Sequence, residues 1–290
     1  MNSQLTFTFW DVQHGNTTHI ITPNGRVVVI DMGDGESISG SARFSPLNFL
    51  RYTQGVKFID KLIITHPHRD HLDDIENVFA LNPSVVRRAG WLTEQEVRQG
   101  NRQTDEAIVS QYLQLCSKYT ENVTRPNDTT FPDDWGGVTV KHYESMQVPR
   151  TNLNNHSIVT FVGYAGLKAM IPGDNESTSW NALLEQQQFR DEIKNVDVLL
   201  APHHGRDAGY SNELFRAGLS PRITVISDDQ ERTTSVTSKY VNNTSGWTVY
   251  KPDGSSEKRY CVTTRNDGNI TIKFGFDGSG GTFLNVTTQI

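Results

Sequence analysis

The segment His66-Pro67-His68-Arg69-Asp70-His71 sets three imidazoles and a carboxylate within six residues. It follows an apolar run, Lys61-Leu62-Ile63-Ile64-Thr65, and precedes a helical pattern over 72–81. Gathering so many polar side chains at one strand exit opposes folding unless something holds them together. A metal ion does so, and imidazole with carboxylate suits zinc, iron or manganese. In an extended loop residues i and i+2 share a face, so His66 and His68 point the same way, while Asp70 and His71 can face a neighbouring position. One short loop can therefore ligate two adjacent ions. Solvated turn histidines are the plainer alternative, and the density of ligand types argues against it. Five of the nine histidines fall in two clusters, the second being His203-His204 in Leu199-Leu200-Ala201-Pro202-His203-His204-Gly205.

The elements that must position these groups are legible as hydrophobic patterns. Residues 5–12 alternate as a half-buried strand, 19–22 and 26–30 follow around a Pro23-Asn24-Gly25 turn, and Asp31 sits where that third strand ends. Residues 45–52 read as a helix. Apolar residues at helical spacing between Thr93 and Tyr119 predict one or two peripheral helices rich in Glu, Gln and Arg. They are most simply a solvated face, placed where an insertion could overhang the site. Strands are expected at 138–143, 157–162, 167–171, 196–201 and 222–227, with helices at 180–188 and 212–217. The tail alternates over 247–250, 258–264 and 270–274, with Asn266-Asp267-Gly268-Asn269 read as a hairpin turn. Strand-rich halves, each followed by helices, predict an α/β protein: an αββα sandwich of two mixed sheets with helices outside. No repeat or linker divides the 290 residues, so one domain, 1–290, with a helical insertion around 93–119 is expected.

Composition narrows the class further. A formal net charge of −6 gives no basic tail of a high-affinity DNA binder, although bound cations would reverse the sign locally. The N-terminal residues carry neither a basic nor an apolar leader segment, and no apolar stretch reaches the roughly 20 residues of a membrane span. Cys116 and Cys261 stand alone. A cytoplasmic setting is the expectation.

His66-x-His68-x-Asp70-His71 resembles the signature of the metallo-β-lactamase superfamily. In chain order, Asp31 matches that family's first motif, a carboxylate that orients the metal loop. Asp174, in Ile171-Pro172-Gly173-Asp174, matches the aspartate that bridges two metals, and His204 matches the last histidine ligand. His156, in Asn154-Asn155-His156-Ser157-Ile158-Val159, fits the remaining ligand position. The resemblance implies two divalent cations, zinc first and manganese second. His66, His68 and His156 would hold one, Asp70, His71 and His204 the other, with Asp174 between them. His203 is then a substrate-facing or supporting group, with the reverse assignment of the 203–204 pair left open.

Phe9-Trp10-Asp11-Val12, the Asn-Asn-x-Ser-Ile-Val segment, Pro202-His203-His204-Gly205 and residues 262–271 look like the hydrolase domain of the ComEC/Rec2 competence proteins, which is linked with nuclease activity. A related branch cleaves phosphorylcholine esters. The implied function is a dimetal phosphodiesterase or nuclease using a metal-bridging hydroxide on nucleic acid or a small phosphodiester, with catalytic roles for Asp70, His203, Arg206 and, through orientation, Asp31. The alternatives are an acyl hydrolase with the same site, or a non-catalytic metal-binding module. There are departures from the pattern. The usual Asp-Val-Gly-Gln-Gly-Asp is here Asp11-Val12-Gln13-His14-Gly15-Asn16, and Arg206 replaces a usual serine. Arg206 is either a bidentate phosphate grip or a surface arginine, and His14 is most simply a turn histidine.

Overall fold

A computed structural model of the chain describes residues 4–36 and 43–290. Residues 1–3, part of the segment read for a leader, lie outside it. Numbered along the chain, the strands are β1 (Gln4–Phe9), β2 (Thr18–Ile21), β3 (Val27–Ile30), the short pair β4 (Gly35–Glu36) and β5 (Arg43–Phe44), β6 (Lys61–Ile63) and β7 (Val86–Arg87). There follow β8 (Thr139–Tyr143), β9 (Val159–Tyr164), β10 (Leu167–Ile171), β11 (Val198–Leu200), β12 (Ile223–Ile226), β13 (Trp247–Tyr250), β14 (Ser256–Arg259), β15 (Cys261–Thr263), β16 (Ile270–Phe276) and β17 (Thr282–Thr288).

Two mixed sheets result. One has the order β14-β13-β17-β16-β1-β2-β3-β6-β7 and the other β15-β12-β11-β10-β9-β8. The alternation of β1 explains its place: Leu5, Phe7 and Phe9 are fully buried between the sheets, while Thr6 and Thr8 point the other way. Phe7 meets Phe274 of the neighbouring β16 with ring centroids 5.0 Å apart. From the second sheet, Val162, Ala169, Ile171, Val198 and Val225 complete this inner core. The outer face of the first sheet, through Val29, Leu62 and Ile64, packs on Val78, Val97 and Leu115 of the helices Ile75–Leu81, Glu94–Gly100 and Glu106–Lys118. The outer face of the second, through Phe161, Met170 and Leu199, packs on Trp180, Phe189 and Tyr240. Both sheets pack on each other and carry helices on their outer faces, and the architecture is the expected αββα sandwich.

The parallel part of each sheet positions the chemistry. β3, β6 and β7 run parallel in the first sheet, and β10, β11, β12 and β15 in the second. Asp31, His66, Asp174, His204 and Ser227 each follow the C-terminal end of one of these strands, where open α/β sheets place their ligands.

Two expectations for the tail are corrected. Residues 258–264 are not one strand: the chain leaves β14 in the first sheet, passes Tyr260, and enters β15 in the second. Residues 266–269 are not a hairpin turn. Thr264–Asp267 is a helical turn, closed by Gly268 at φ 64° and by an Arg259–Asp267 ion pair. It carries the chain back to the first sheet, where the real hairpin joins β16 to β17. The helix expected at 180–188 is two, Ser177–Leu184 and Gln187–Glu192.

One buried group on β2 has a consequence for stability. His19 is 2 % exposed, stacks on Trp10 with centroids 6.4 Å apart, and has an Nε2 without a hydrogen-bond partner. Burial pushes it down to about 4. Because the folded pKa lies below the unfolded value of about 6.5, the unfolded chain takes the proton first. Stability is unaffected above about pH 6.5 and falls as pH drops toward about 4, by about 3 kcal/mol at most. We expect His19→Leu to lose less stability than the parent protein between about pH 7 and about pH 4.5 in urea titrations. An identical loss in both proteins would refute this assignment.

Candidate metal centre

The site is organised around Asp31, which is fully buried and left-handed at φ 61°. One carboxylate oxygen accepts the backbone N–H of Thr65 at 2.7 Å. The other accepts the Thr65 hydroxyl at 2.8 Å, the Asn16 amide at 3.2 Å and His71 Nδ1 at 2.7 Å. A carboxylate only accepts when ionised, so His71 carries its proton on Nδ1 and turns Nε2 toward the cluster. That Nε2 is buried without a well-formed hydrogen bond, although Asp174 Oδ1 lies 3.2 Å away.

Thr65 hands the constraint on. Its hydroxyl lies 3.2 Å from His66 Nδ1, and His66 Nε2 lies 3.1 Å from His68 Nδ1. His66 and His68 thus share a face, with ring centroids 4.7 Å apart, and the His71 ring lies tilted against His66 with centroids 4.2 Å apart. Backbone packing sets the loop's depth. A Cβ at Gly33 would stand 2.7 Å from the Asp70 carbonyl oxygen, and one at Gly173 would stand 2.7 Å from Thr65 Cβ, so both approaches require glycine.

The second sheet closes the site. Asp174 follows β10, its N–H donating to Ser157 Oγ at 3.0 Å. Its two oxygens face different partners, Oδ1 toward His71 and Oδ2 toward His204 at 3.4 Å. His203 and His204 are both left-handed, at φ 50° and 55°, a conformation costing roughly 1–3 kcal/mol each in non-glycine residues. This turn sends the neighbouring rings apart. His204 Nδ1 donates to the Ser227 carbonyl at 3.0 Å and leaves Nε2 at 3.1 Å from Asp70 Oδ2. His203 faces the cleft, its Nδ1 3.2 Å from Glu176 Oε1.

Asp70, His71, Asp174 and His204 thereby offer one ligand atom each within 4.8 Å of one another. The electrostatics favour a cation. Burial alone would push His204 down, but Asp174 and Asp70 hold it up at about 10. Burial would likewise lower His71, and Asp174, Asp31 and Asp70 hold it well above its ordinary value. Burial would raise both carboxyls. His71 and His204 keep Asp70, and His204 and His71 keep Asp174, well below the carboxylate range. Two anionic carboxylates this close need positive charge between them, and the imidazole–carboxylate donor set with the unpartnered His71 Nε2 fits a divalent metal ion.

His156 is not brought to this cluster. It ends a 3₁₀ turn, Leu153–His156, and its Nδ1 accepts the Trp91 indole N–H at 3.0 Å. The charges nearest it are Arg150 and Glu96, not the cluster. The turn swings the ring toward Trp91, and the next residue, Ser157, is the one that touches Asp174. His14 does join the site, with Nε2 3.5 Å from Asp70 Oδ2, its ring 4.9 Å from that of His204, and Arg206 Nη2 3.3 Å from its Nδ1.

The cluster lies at the floor of a cleft of about 490 Å³. Gly100, Asn101, Arg102 and Asp105, from the helical segment expected to overhang the site, line its wall with His203 and Arg206. Glu176 was not anticipated. Its Oε1 lies 3.2 Å from His203 Nδ1, and it accepts from the Asn152 and Asn154 amides at 2.8 and 2.9 Å; its sequence signal is its place two residues after Asp174.

No family model matches the chain. Over 240 residues it is 25% identical to ComE operon protein 3 of Bacillus subtilis, covering 79% of this chain and 26% of that protein. The chain thus spans about a quarter of that relative's length. Similar solved structures include a diphosphatase from the PhnP family (11% identical, TM-score 0.41, 77% of this chain and 86% of that one). Others are the Rm3 metallo-β-lactamase (15%, 0.35, 67% and 74%) and a long form RNase Z from yeast (10%, 0.40, 81% and 39%).

Replacing Asp31 by Asn removes an acceptor that His71 and Thr65 share. We expect divalent-metal affinity to fall about 10–100-fold in calorimetric titrations, with a native far-UV circular dichroism spectrum; unchanged affinity would contradict the orienting role. The chain is thus an αββα sandwich whose strand-end aspartates and histidines, set between two sheets, resemble in type and order those of the metallo-β-lactamase superfamily.

Proposed function

We propose that the protein is a metal-dependent phosphodiesterase acting on nucleic acid or another phosphodiester. The observation that carries this reading is the pairing of a buried carboxylate–imidazole cluster with guanidinium groups in one cleft, so that cation sites and anion-binding donors face the same space. His66, His68, Asp70, His71, Asp174 and His204 would hold the divalent cations. When bound, these supply Lewis-acid neutralisation of phosphoryl oxygens and activation of water.

The chain's own groups do the rest. Asp31 and the Ser227 carbonyl fix His71 and His204 in the tautomers that aim Nε2 into the cluster. His203, its Nδ1 3.2 Å from Glu176 Oε1, turns its Nε2 to the cleft, 3.8 Å from Asp174 Oδ2, where the imidazolium form would donate to a phosphoryl or leaving-group oxygen. Arg206, free of any carboxylate partner among the described residues, offers planar N–H pairs that match a phosphate. Asp70, the least buried member of the cluster, lines the cleft and is placed to accept from an incoming nucleophile. An acyl substrate has no need of these cationic donors. For the same reason a non-catalytic role is the weaker reading. No helix among the described residues is long and apolar enough to cross a membrane.

The test is cleavage of linear and circular DNA with Mn²⁺ or Zn²⁺. We expect metal-dependent degradation that His68→Ala and Asp174→Asn abolish while remaining folded, and a loss of about 10²-fold or more in kcat for His203→Ala, the size of removing one preorganised donor. Hydrolysis of a chromogenic ester or lactam, with no cleavage of any phosphodiester, would transfer the reading to an acyl hydrolase.

A further inference from the structure

Three arginines line the cleft, and their pairing differs. Arg69 is neutralised, with Nε donating to Asp73 at 2.9 Å and Nη1 3.5 Å from Asp105. Arg102 and Arg206 have no carboxylate partner among the described residues. Arg102 is exposed, and its segment of backbone is fixed. Arg102 sits in a segment fastened to the metal loop on both sides, by Asn101 Nδ2 donating to the Pro67 carbonyl at 2.9 Å and by the Arg69–Asp105 contact. Its own backbone begins the turn Gln103–Asp105.

Arg206 is braced differently. A guanidinium only donates, so His14 Nδ1 accepts from Arg206 and His14 Nε2 carries the proton, facing Asp70 Oδ2. Two of the positions at which the sequence departs from the pattern it resembles, 192 apart, therefore touch each other beside the metal cluster. The backbone of Arg206 is held as well, by a bridge to Ser235.

Resting on the phosphodiesterase reading, we infer that Arg102 and Arg206 hold phosphates adjacent to the scissile one, with His14 as the positioning residue for Arg206. The substrate is then a phosphodiester chain and not an isolated one-phosphate ester. The metal cluster takes the reacting phosphate, so an unpaired guanidinium on each of two separate elements is matched only by further anionic groups of the same substrate. A cleft of about 490 Å³ is the size of a small-molecule site, for which about 300–1,000 Å³ is usual. It admits a stretch of one extended strand and the phosphates next to the scissile bond.

The experiment measures binding and turnover separately. Binding of a fluorescein-labelled phosphorothioate oligothymidylate, which keeps the backbone charge and slows cleavage, is followed by anisotropy with Zn²⁺ as KCl is varied. Arg102→Gln and Arg206→Gln should each weaken binding about tenfold at low salt and flatten the log–log salt dependence by about 0.7, the release expected for one phosphate contact on a single strand. His14→Ala should weaken binding less than Arg206→Gln, and the double variant should be no worse than Arg206→Gln alone, since the two act through one guanidinium.

In parallel, kcat/KM is compared on oligothymidylate and on bis(p-nitrophenyl) phosphate. Each arginine variant should lose several-fold more on the strand than on the one-phosphate ester, through KM, and Arg102→Lys should restore most of the strand affinity. Equal losses on both substrates, or an unchanged salt slope, would overturn the inference while leaving the phosphodiesterase reading standing. A parent protein that cleaves neither substrate would instead remove that reading itself.

Discussion

The Asp31 carboxylate is a single buried charge on which two parts of the chain depend at once. It sits at the end of β3, accepts the main-chain N–H and hydroxyl of Thr65 at the end of β6, and fixes the tautomer of His71. A buried carboxylate is expensive unless its lone pairs are used, and here backbone, hydroxyl, amide and imidazole donors use them. Satisfying that charge brings Thr65 and His71 together around the intervening His66 and His68. Asn16, where the family pattern has an acid, adds an amide donor to the same oxygen.

The two sheets contribute unequal kinds of precision. The first supplies the compact loop after β6, fixed by Asp31 and by close backbone approach at Gly33. The second supplies Asp174, His204 and the Ser227 carbonyl from successive parallel strands. Ser227 is itself held, its hydroxyl donating to the Gly15 carbonyl across the sandwich at 2.8 Å. The following Asp228 accepts from Arg265 and exchanges main-chain hydrogen bonds with the Thr264 hydroxyl. The tail residues that looked like a family hairpin thus act as a clasp behind His204. Left-handed backbone at both 203 and 204 is tolerable because this clasp, the His203 N–H to Gly173 bond and the following Gly205 hold the turn from several directions.

What was legible in the sequence, and what was not, follows from the range of the forces involved. The metal loop could be read because its ligands are contiguous and strand alternation fixes which share a face; the strands of the inner core could be read because burial imposes period two on Leu5, Phe7 and Phe9. The position of His156 could not. Its ring direction is set by a 3₁₀ turn and by a hydrogen bond to Trp91, 65 residues away, and neither leaves a local mark. Nor could the break between β14 and β15, because a continuous alternating pattern is compatible with both sheets and only Tyr260 marks the crossing. The partnership of His14 with Arg206 was hidden for the same reason: alone, His14 reads as a turn histidine and Arg206 as either a phosphate grip or a surface arginine, and only the fold joins them.

The charge of the cleft connects these parts to function. Its lining carries three arginines against four aspartates, Asp70, Asp73, Asp105 and Asp174. Within the cluster the imidazoles of His71 and His204, held protonated by the carboxylates around them, offset Asp70 and Asp174. Divalent ions bound there would replace those protons with greater positive charge. Asp73 and Asp105 are already matched by Arg69. What remains outward-facing is Arg102, Arg206 and His203, all donors. A chain of net charge −6 can therefore present a locally cationic cleft.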